Sequence, residues 1–228
     1  MSNPSGAGAD PLVKRLSQLD TCAVSDALDR FGMSGAVTSL SPMTTQGRIC
    51  GRVMTVKLGP PLQTISKRHL GVAAIAAAGP GDVIVLENPY ADVSGWGGLL
   101  SLAAKRKGIA GVIVDGGCRD VDEARDLELS IFARAAVPVT ARGRISEHAH
   151  GEPITVAGIA VAAGDLVIAD GSGVVFVPAA RASAVIEAAE EIFAREQLMA
   201  AAIRRDEPLA EILGATYEQM LEREQDHE

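Results

Sequence analysis

A mixed α/β fold in a single domain is predicted by three observations on this 228-residue chain. Segments with apolar residues at helical spacing alternate with short β-branched runs, and Gly, Pro and Gly-Asp pairs separate them. A hydrophobic share of 47% supplies enough apolar surface for one core at this length. From Ala179 onward the composition shifts to Ala, Glu, Arg and Leu, which are strong helix formers, so the chain ends in a helical extension (about 179–228).

The elements follow in order. Met1 to Asp10 is small and polar, with no basic stretch ahead of an apolar run, and reads as a disordered leader rather than a signal peptide. The domain therefore occupies 11–228. Leu12 to Phe31 has helical spacing and stops at Gly32, giving one or two opening helices. Gly47 to Leu58 carries strand-like β-branched residues and is broken by Gly59-Pro60-Pro61. His69 to Ala78 is an Ala-rich helix closed by Gly79-Pro80-Gly81-Asp82, and Val83 to Leu86 is a buried strand. Gly164-Asp165 before Leu166 to Ala169 echoes that turn-to-strand unit. Leu99 to Lys107 is a helix, Ala110 to Val114 a strand and Val121 to Leu127 a helix, and short antiparallel strands fill Ile154 to Pro178.

Several functions lose support. A net charge of −8 disfavours nucleic acid, whose phosphates need a concentrated basic surface. Two short basic runs, Lys67-Arg68-His69 and Lys105-Arg106-Lys107, read as helix-end or solvated charge, or as steering for an anionic substrate. The apolar stretches are too short and too interrupted to span a membrane, so a cytoplasmic location is expected. Cys22, Cys50 and Cys118 are far apart and form no CxxC pair, which argues against a zinc knuckle or disulfide framework. GxGxxG, GxxxxGK[ST] and GxSxG motifs are absent, so nucleotide binding and serine hydrolysis have no local support.

The chemistry concentrates between Gly95 and Asp120. Gly97 and Gly98 stand immediately before a helix, where first-turn N–H groups can hold an anion. The following strand delivers Arg119 and Asp120 at its carboxyl end, the edge where open α/β sheets bind ligands. Arg119 offers a planar fork for a carboxylate, and Asp120 offers the hard oxygen that Mg²⁺ or Mn²⁺ prefers. The plainer alternative is an Arg-Asp ion pair that closes a turn and caps the next helix.

Other candidates are weaker. His148 and His150 would share one face of a strand, yet no third ligand stands near, and a loop touching substrate or a neighbouring subunit is preferred to a zinc site. Trp96 reads equally as core or pocket wall, Cys118 as a small filler, and Asp115 and Asp170 as turn residues ahead of glycine.

Thr21 to Asp29, Gly97 to Leu100, Gly111 to Asp120 and Gly164 to Pro178 resemble the family that holds the regulator of ribonuclease E activity A and the 4-hydroxy-4-methyl-2-oxoglutarate and 4-carboxy-4-hydroxy-2-oxoadipate aldolases. That resemblance implies a swivelling β/β/α fold, homotrimers or homohexamers with sites between subunits, and a Mg²⁺ or Mn²⁺ requirement. It also implies Asp120 as direct metal ligand, Arg119 as substrate binder, and Gly97, Gly98, Leu99 and Leu100 holding substrate through their backbone. The activity implied is release of pyruvate from a 4-hydroxy-2-oxo acid, or decarboxylation of oxaloacetate, through a metal-stabilised enolate. The alternative is a non-catalytic protein that binds and regulates an RNA-processing enzyme.

One departure stands out. The aldolases of the family carry Asp or Glu where this chain has Gly98, and that acid helps hold a metal-bound water involved in proton transfer. Glu196, reaching over from a neighbouring subunit, is the expected replacement metal ligand, with Glu191 as a second choice. A solvated helical Glu is the plainer reading of either.

Overall fold

The computed structural model describes residues 10–44, 47–63 and 69–214. In chain order the elements are α1 (Pro11–Leu16), α2 (Thr21–Arg30), β1 (Ala36–Val37), β2 (Ser41–Pro42), β3 (Ile49–Gly59), α3 (Val72–Ala77), β4 (Val83–Glu87), α4 (Gly98–Lys107), β5 (Gly111–Cys118), α5 (Val121–Asp126), β6 (Ile131–Ala136), β7 (Ser146–His150), β8 (Ile154–Val156), β9 (Ile159–Val161), β10 (Leu166–Asp170), β11 (Gly173–Val177), α6 (Ala182–Arg204) and α7 (Leu209–Ile212). The leader lies outside the described residues except Asp10, which belongs to the folded part. Its carboxylate accepts from Leu12 N at 2.9 Å, capping α1, and pairs with Arg52 at 2.8 Å.

Most strands join one sheet in the order β1-β11-β10-β3-β4-β5-β6-β2. The long strand β3 organises it. Val53 to Lys57 pair in parallel with β4, while Ile49 to Arg52 pair antiparallel with β10 and the distal end pairs with β7. Strands β3 to β6 are mutually parallel, with α3, α4 and α5 as crossovers, so the expected mixed α/β architecture with a C-terminal helical extension is present.

Period-two alternation on fully buried strands separates the two faces of this sheet. Ile84, Leu86, Val112 and Val114 face the side of α3, α4 and α5, whereas Val83, Val85 and Ile113 pack with Ile154 and Val156 of the β8–β9 hairpin. Beyond β3 the first face continues under α1, α2 and α6, where Leu166, Ile168, Val175 and Val177 meet Leu16, Leu28, Val185 and Ile192. Each such side chain contributes about 1.5–3 kcal/mol on burial, so the long terminal helix is held by its apolar face.

The Gly-Asp echo is real at the level of turn chemistry. Gly81 (φ 86°) and Gly164 (φ 92°) both occupy the left-handed region. Asp82 Oδ2 accepts from Gly79 N at 2.7 Å and Asp165 Oδ2 from Ala162 N at 2.8 Å, each three residues back. The contexts differ, because β4 runs parallel to β3 and β10 antiparallel. Local sequence repeats the turn without repeating the topology.

The strand ahead of Arg119 is longer than expected. β5 continues through Asp115-Gly-Gly-Cys118, so those residues are not a loop. Gly117 permits this: a Cβ there would meet Ala91 O at 2.8 Å, Val137 Cγ2 at 2.8 Å and Val93 O at 2.9 Å. Gly117→Ala must displace backbone, so urea unfolding should show a loss of about 1–3 kcal/mol.

Candidate active site

The glycine loop and the end of β5 are stitched together by backbone. Ser94 bridges Gly117 in parallel, Gly95 N donates to Gly117 O at 2.8 Å, and Arg119 N donates to Trp96 O at 2.9 Å. Trp96 is buried, and its Nε1 donates to Ser101 Oγ at 3.0 Å, fixing the first turn of α4 from below. Trp96 is thus both core and pocket wall. The outcome is a cavity of about 260 Å³ at the carboxyl end of β5, lined by Gly97, Gly98, Leu99, Leu100, Arg119 and Asp120. Every residue proposed from the Gly95 to Asp120 stretch meets there.

Asp120 adopts φ 56°, a left-handed conformation that Asp tolerates better than most residues and that clusters at functional sites. It stands at the N-cap of α5 yet makes no side-chain bond to that helix. Instead its Oδ2 accepts from Gly98 N at 2.9 Å, at the start of α4, and lies 3.4 Å from Arg119 Nε. A cap of the next helix therefore does not explain it. Its Oδ1 has no hydrogen-bond partner among the described residues, and neither do Leu99 N and Leu100 N. An unpaired carboxylate oxygen, a guanidinium and two helix-start donors thus border one cavity.

The cavity also has walls that the residue patterns did not single out. Arg142 and Thr140 line it, as does His69, the described member of the first basic run; Lys67 and Arg68 lie outside the described residues. Arg142 falls in a loop after Pro138, where no periodicity marks a site, and a basic residue there reads equally as solvated charge. The second basic run sits at the far end of α4, where Lys105 Nζ donates to Glu128 O at 3.0 Å and Lys107 Nζ to Ala76 O at 3.3 Å. It ties the end of α4 to α3 and to the residues after α5, and does not line the cavity.

Glu196 is not among the residues lining the cavity of its own chain. It lies on α6, and its carboxyl is pushed above the usual range by burial and by the charges of Asp20 and Asp26. A value raised in the folded state means the protonated form is favoured there, so the stability it contributes is present at low pH and lost as pH rises through the raised value. Glu196→Gln should therefore raise the Tm of metal-free protein at pH 8 and change it little at pH 4, by calorimetry. Glu191 pairs with Arg30 at 3.5 Å, also on this helix.

The remaining candidates lie outside that cavity. Burial pushes the Cys118 thiol up to about 11 and that of Cys50 up to about 12, which removes both as nucleophiles at neutral pH. His148 and His150 lie on β7, not in a loop; His148 Nε2 contacts Pro60 O at 2.9 Å and His150 Nδ1 pairs with Glu147 at 3.2 Å. Asp115 lies inside β5 rather than in a turn, its carboxylate accepting from Arg134 Nε at 2.6 Å and Ala157 N at 2.7 Å. Asp170 does form a turn, accepting from Ser172 N at 2.9 Å, and it also accepts from Thr21 N at 3.0 Å at the start of α2.

Among the described residues no three His, Cys, Asp or Glu side chains gather in a manner that could enclose a metal ion, and no helix is long and apolar enough to cross a membrane. The oxygen chemistry at Asp120 still fits Mg²⁺ or Mn²⁺, since Mg²⁺ retains waters and is commonly held by one or two carboxylates.

Comparison with known proteins agrees with this geometry. Residues 21–176 match the model of the RraA-like family, described as Aldolase/RraA. The chain is 28% identical over 193 residues to protein DlpA of Legionella pneumophila, covering 84% of this chain and 31% of that much longer protein. It is 31% identical over 185 residues to a Halalkalibacterium halodurans protein provisionally named 4-hydroxy-4-methyl-2-oxoglutarate aldolase, covering 78% of this chain and 82% of the relative. Among solved structures, Streptomyces coelicolor RraAS2, described as an unusual member of the RNase ES inhibitor RraA protein family, superposes with a TM-score of 0.75 at 25% identity, covering 87% of this chain and 98% of that one. The matched segment contains both the strand order and the cavity residues described above, and the chain belongs to the RraA-like, aldolase/RraA family.

Proposed function

We propose that the protein is a divalent-metal-dependent carbon–carbon lyase that releases pyruvate from a 4-hydroxy-2-oxo acid or from oxaloacetate. The observation that carries this reading is that Asp120 Oδ1, beside the Arg119 guanidinium, and the Leu99 and Leu100 N–H groups have no partner among the described residues and border one cavity. Relatives named as 4-hydroxy-4-methyl-2-oxoglutarate aldolases support the substrate class.

In this reading Arg119 and the start of α4 bind the substrate carboxylate, through the guanidinium fork and the two N–H donors. Asp120 would hold Mg²⁺ or Mn²⁺, and its bond to Gly98 N locks the carboxylate in orientation. The cation, when bound, supplies Lewis-acid stabilisation for the charge that develops on the substrate's oxo oxygen as the bond to the departing carbon breaks. Trp96 and Ile145 wall the cavity and limit its water. Assembly as a homotrimer or homohexamer, with Glu196 approaching the site of a neighbouring subunit, belongs to the same proposal.

A second reading is a regulator that binds an RNA-processing enzyme without catalysis, favoured by the similarity to RraAS2. A coupled pyruvate assay separates the two, using oxaloacetate and 4-hydroxy-4-methyl-2-oxoglutarate with Mg²⁺ or Mn²⁺ and then with chelator. Turnover that chelation removes and metal restores is expected. Absence of metal-dependent turnover of either substrate, together with inhibition of an RNase E-type ribonuclease, supports the regulator.

A further inference from the structure

Strand β4 leaves its partner before β5 ends. It pairs with β5 as far as Glu87 opposite Asp115, after which the chain loops out and returns to β5 where Ser94 bridges Gly117. Asn88, 2% exposed, closes that excursion with one side chain: its Oδ1 accepts from Tyr90 N at 3.2 Å and its Nδ2 donates to Val93 O at 2.9 Å. A Cβ built on Gly116 would lie 2.6 Å from Asn88 Nδ2 and 2.7 Å from its Cβ, and one built on Gly95 would lie 3.2 Å from Nδ2. The amide therefore fills space that both glycines leave. Directly past Val93 come the contacts that shape the cavity, Gly95 N to Gly117 O and Arg119 N to Trp96 O. Buried polar side chains are costly unless paired, and Asn88, Ser94 and Ser101 on this one stretch are all paired. A satisfied polar network of this kind holds one arrangement of the loop.

We propose that Asn88 is a positioning residue for the site: its amide donor to Val93 O fixes where the chain re-enters the sheet, and so holds the Leu99 and Leu100 N–H groups in register with Arg119 for the substrate's carboxylate. The inference rests on the carboxylate-binding part of the reading above. Asn88 is not among the residues lining the cavity, so it acts through the loop that follows it. A slip at the re-entry carries Gly97 to Leu100 past Arg119, and a misplacement of about 1 Å in such a constellation is worth up to about 10²-fold.

The test titrates pyruvate onto the full chain with Mg²⁺ present and follows the fluorescence of Trp96, the only tryptophan, which is buried and borders the cavity. Asn88→Asp keeps an acceptor for Tyr90 N and nearly the same volume, but turns a carboxylate oxygen toward Val93 O. Burial holds that carboxyl above the usual range, as do Glu87 and Asp115 on the adjoining groove, whose Arg134 is already paired with Asp115. Lowering the pH therefore returns an O–H that can donate to Val93 O. Asn88→Asp is expected to raise the pyruvate Kd about tenfold or more over the parent at about pH 9 and to regain most of it by about pH 5. Asn88→Ala, which has no proton to regain, is expected to show the loss at both. With oxaloacetate as substrate, KM should rise by a similar factor and kcat change much less. Val185→Ala, buried at 0% in the core beneath α6 and remote from the cavity, serves as a control of comparable lost stability and should bind pyruvate like the parent. Parent-like binding by folded Asn88→Ala, an equal loss in Val185→Ala, or no regain by folded Asn88→Asp at low pH each overturns the inference and leaves the lyase reading standing. A parent chain that neither binds pyruvate nor releases it from a substrate overturns both.

Discussion

On the proposed lyase reading, replacing Asp120 by Asn is expected to lower metal-dependent kcat/KM for pyruvate release by about 10³-fold, roughly 4 kcal/mol of transition-state stabilisation. Asn is the informative substitution because it tolerates the left-handed backbone at φ 56° and keeps an oxygen that can accept from Gly98 N at 2.9 Å. What it removes is the negative charge on the unpaired oxygen. Asp120→Ala, which should abolish the activity as well, would also strain the backbone and leave Gly98 N without its acceptor, so its effect on activity would mix two causes. Steady-state kinetics with excess Mn²⁺ and unfolding curves for both variants separate them: Asn should retain the parent Tm more closely than Ala. Parent-like kinetics in both variants would remove Asp120 from the site.

Arg119→Lys is expected to raise KM about 10- to 100-fold and to leave kcat much less affected, equivalent to about 1.4–2.8 kcal/mol of binding. Arg119 offers a fixed fork beside the α4 start, with its Nε 3.4 Å from Asp120. A lysine ammonium keeps the charge but replaces two parallel donors by one mobile point, so the carboxylate is still attracted and is less well oriented. If kcat falls with KM unchanged, Arg119 acts on the reacting centre instead of on the substrate's carboxylate. Varying the substrate from oxaloacetate to a 4-hydroxy-2-oxo acid should leave the ratio similar, because both present the same 2-oxo carboxylate.

The two halves of the site differ in how readable they were. Gly97 to Leu100 and Arg119-Asp120 carry local signatures: glycines ahead of a helix, and charged residues just past a buried strand. Those signatures hold over short windows, where one element's geometry decides the matter. Arg142 carries none, because a basic residue in a loop without periodicity reads equally as solvated charge. Its place on the cavity depends on that loop lying beside Arg119 and the start of α4, elements distant from it in sequence. Glu196 shows the converse: helical spacing gave it a face, but only packing determined that this face meets Asp20 and Asp26 of its own chain.

The sequence by itself determined the alternation of helix and strand, the Gly-Asp turns, the long terminal helix and the residues able to hold an anion or a cation, because these follow from periodicity, backbone preference and side-chain chemistry within a few residues. Tertiary structure alone decided that β3 divides its pairing between β10, β4 and β7, that β5 runs on to Cys118, and that Asp120 turns from α5 to Gly98 N. Each depends on which distant backbone groups and which volumes lie opposite, and pairing of that kind is a property of the assembled sheet rather than of any local stretch.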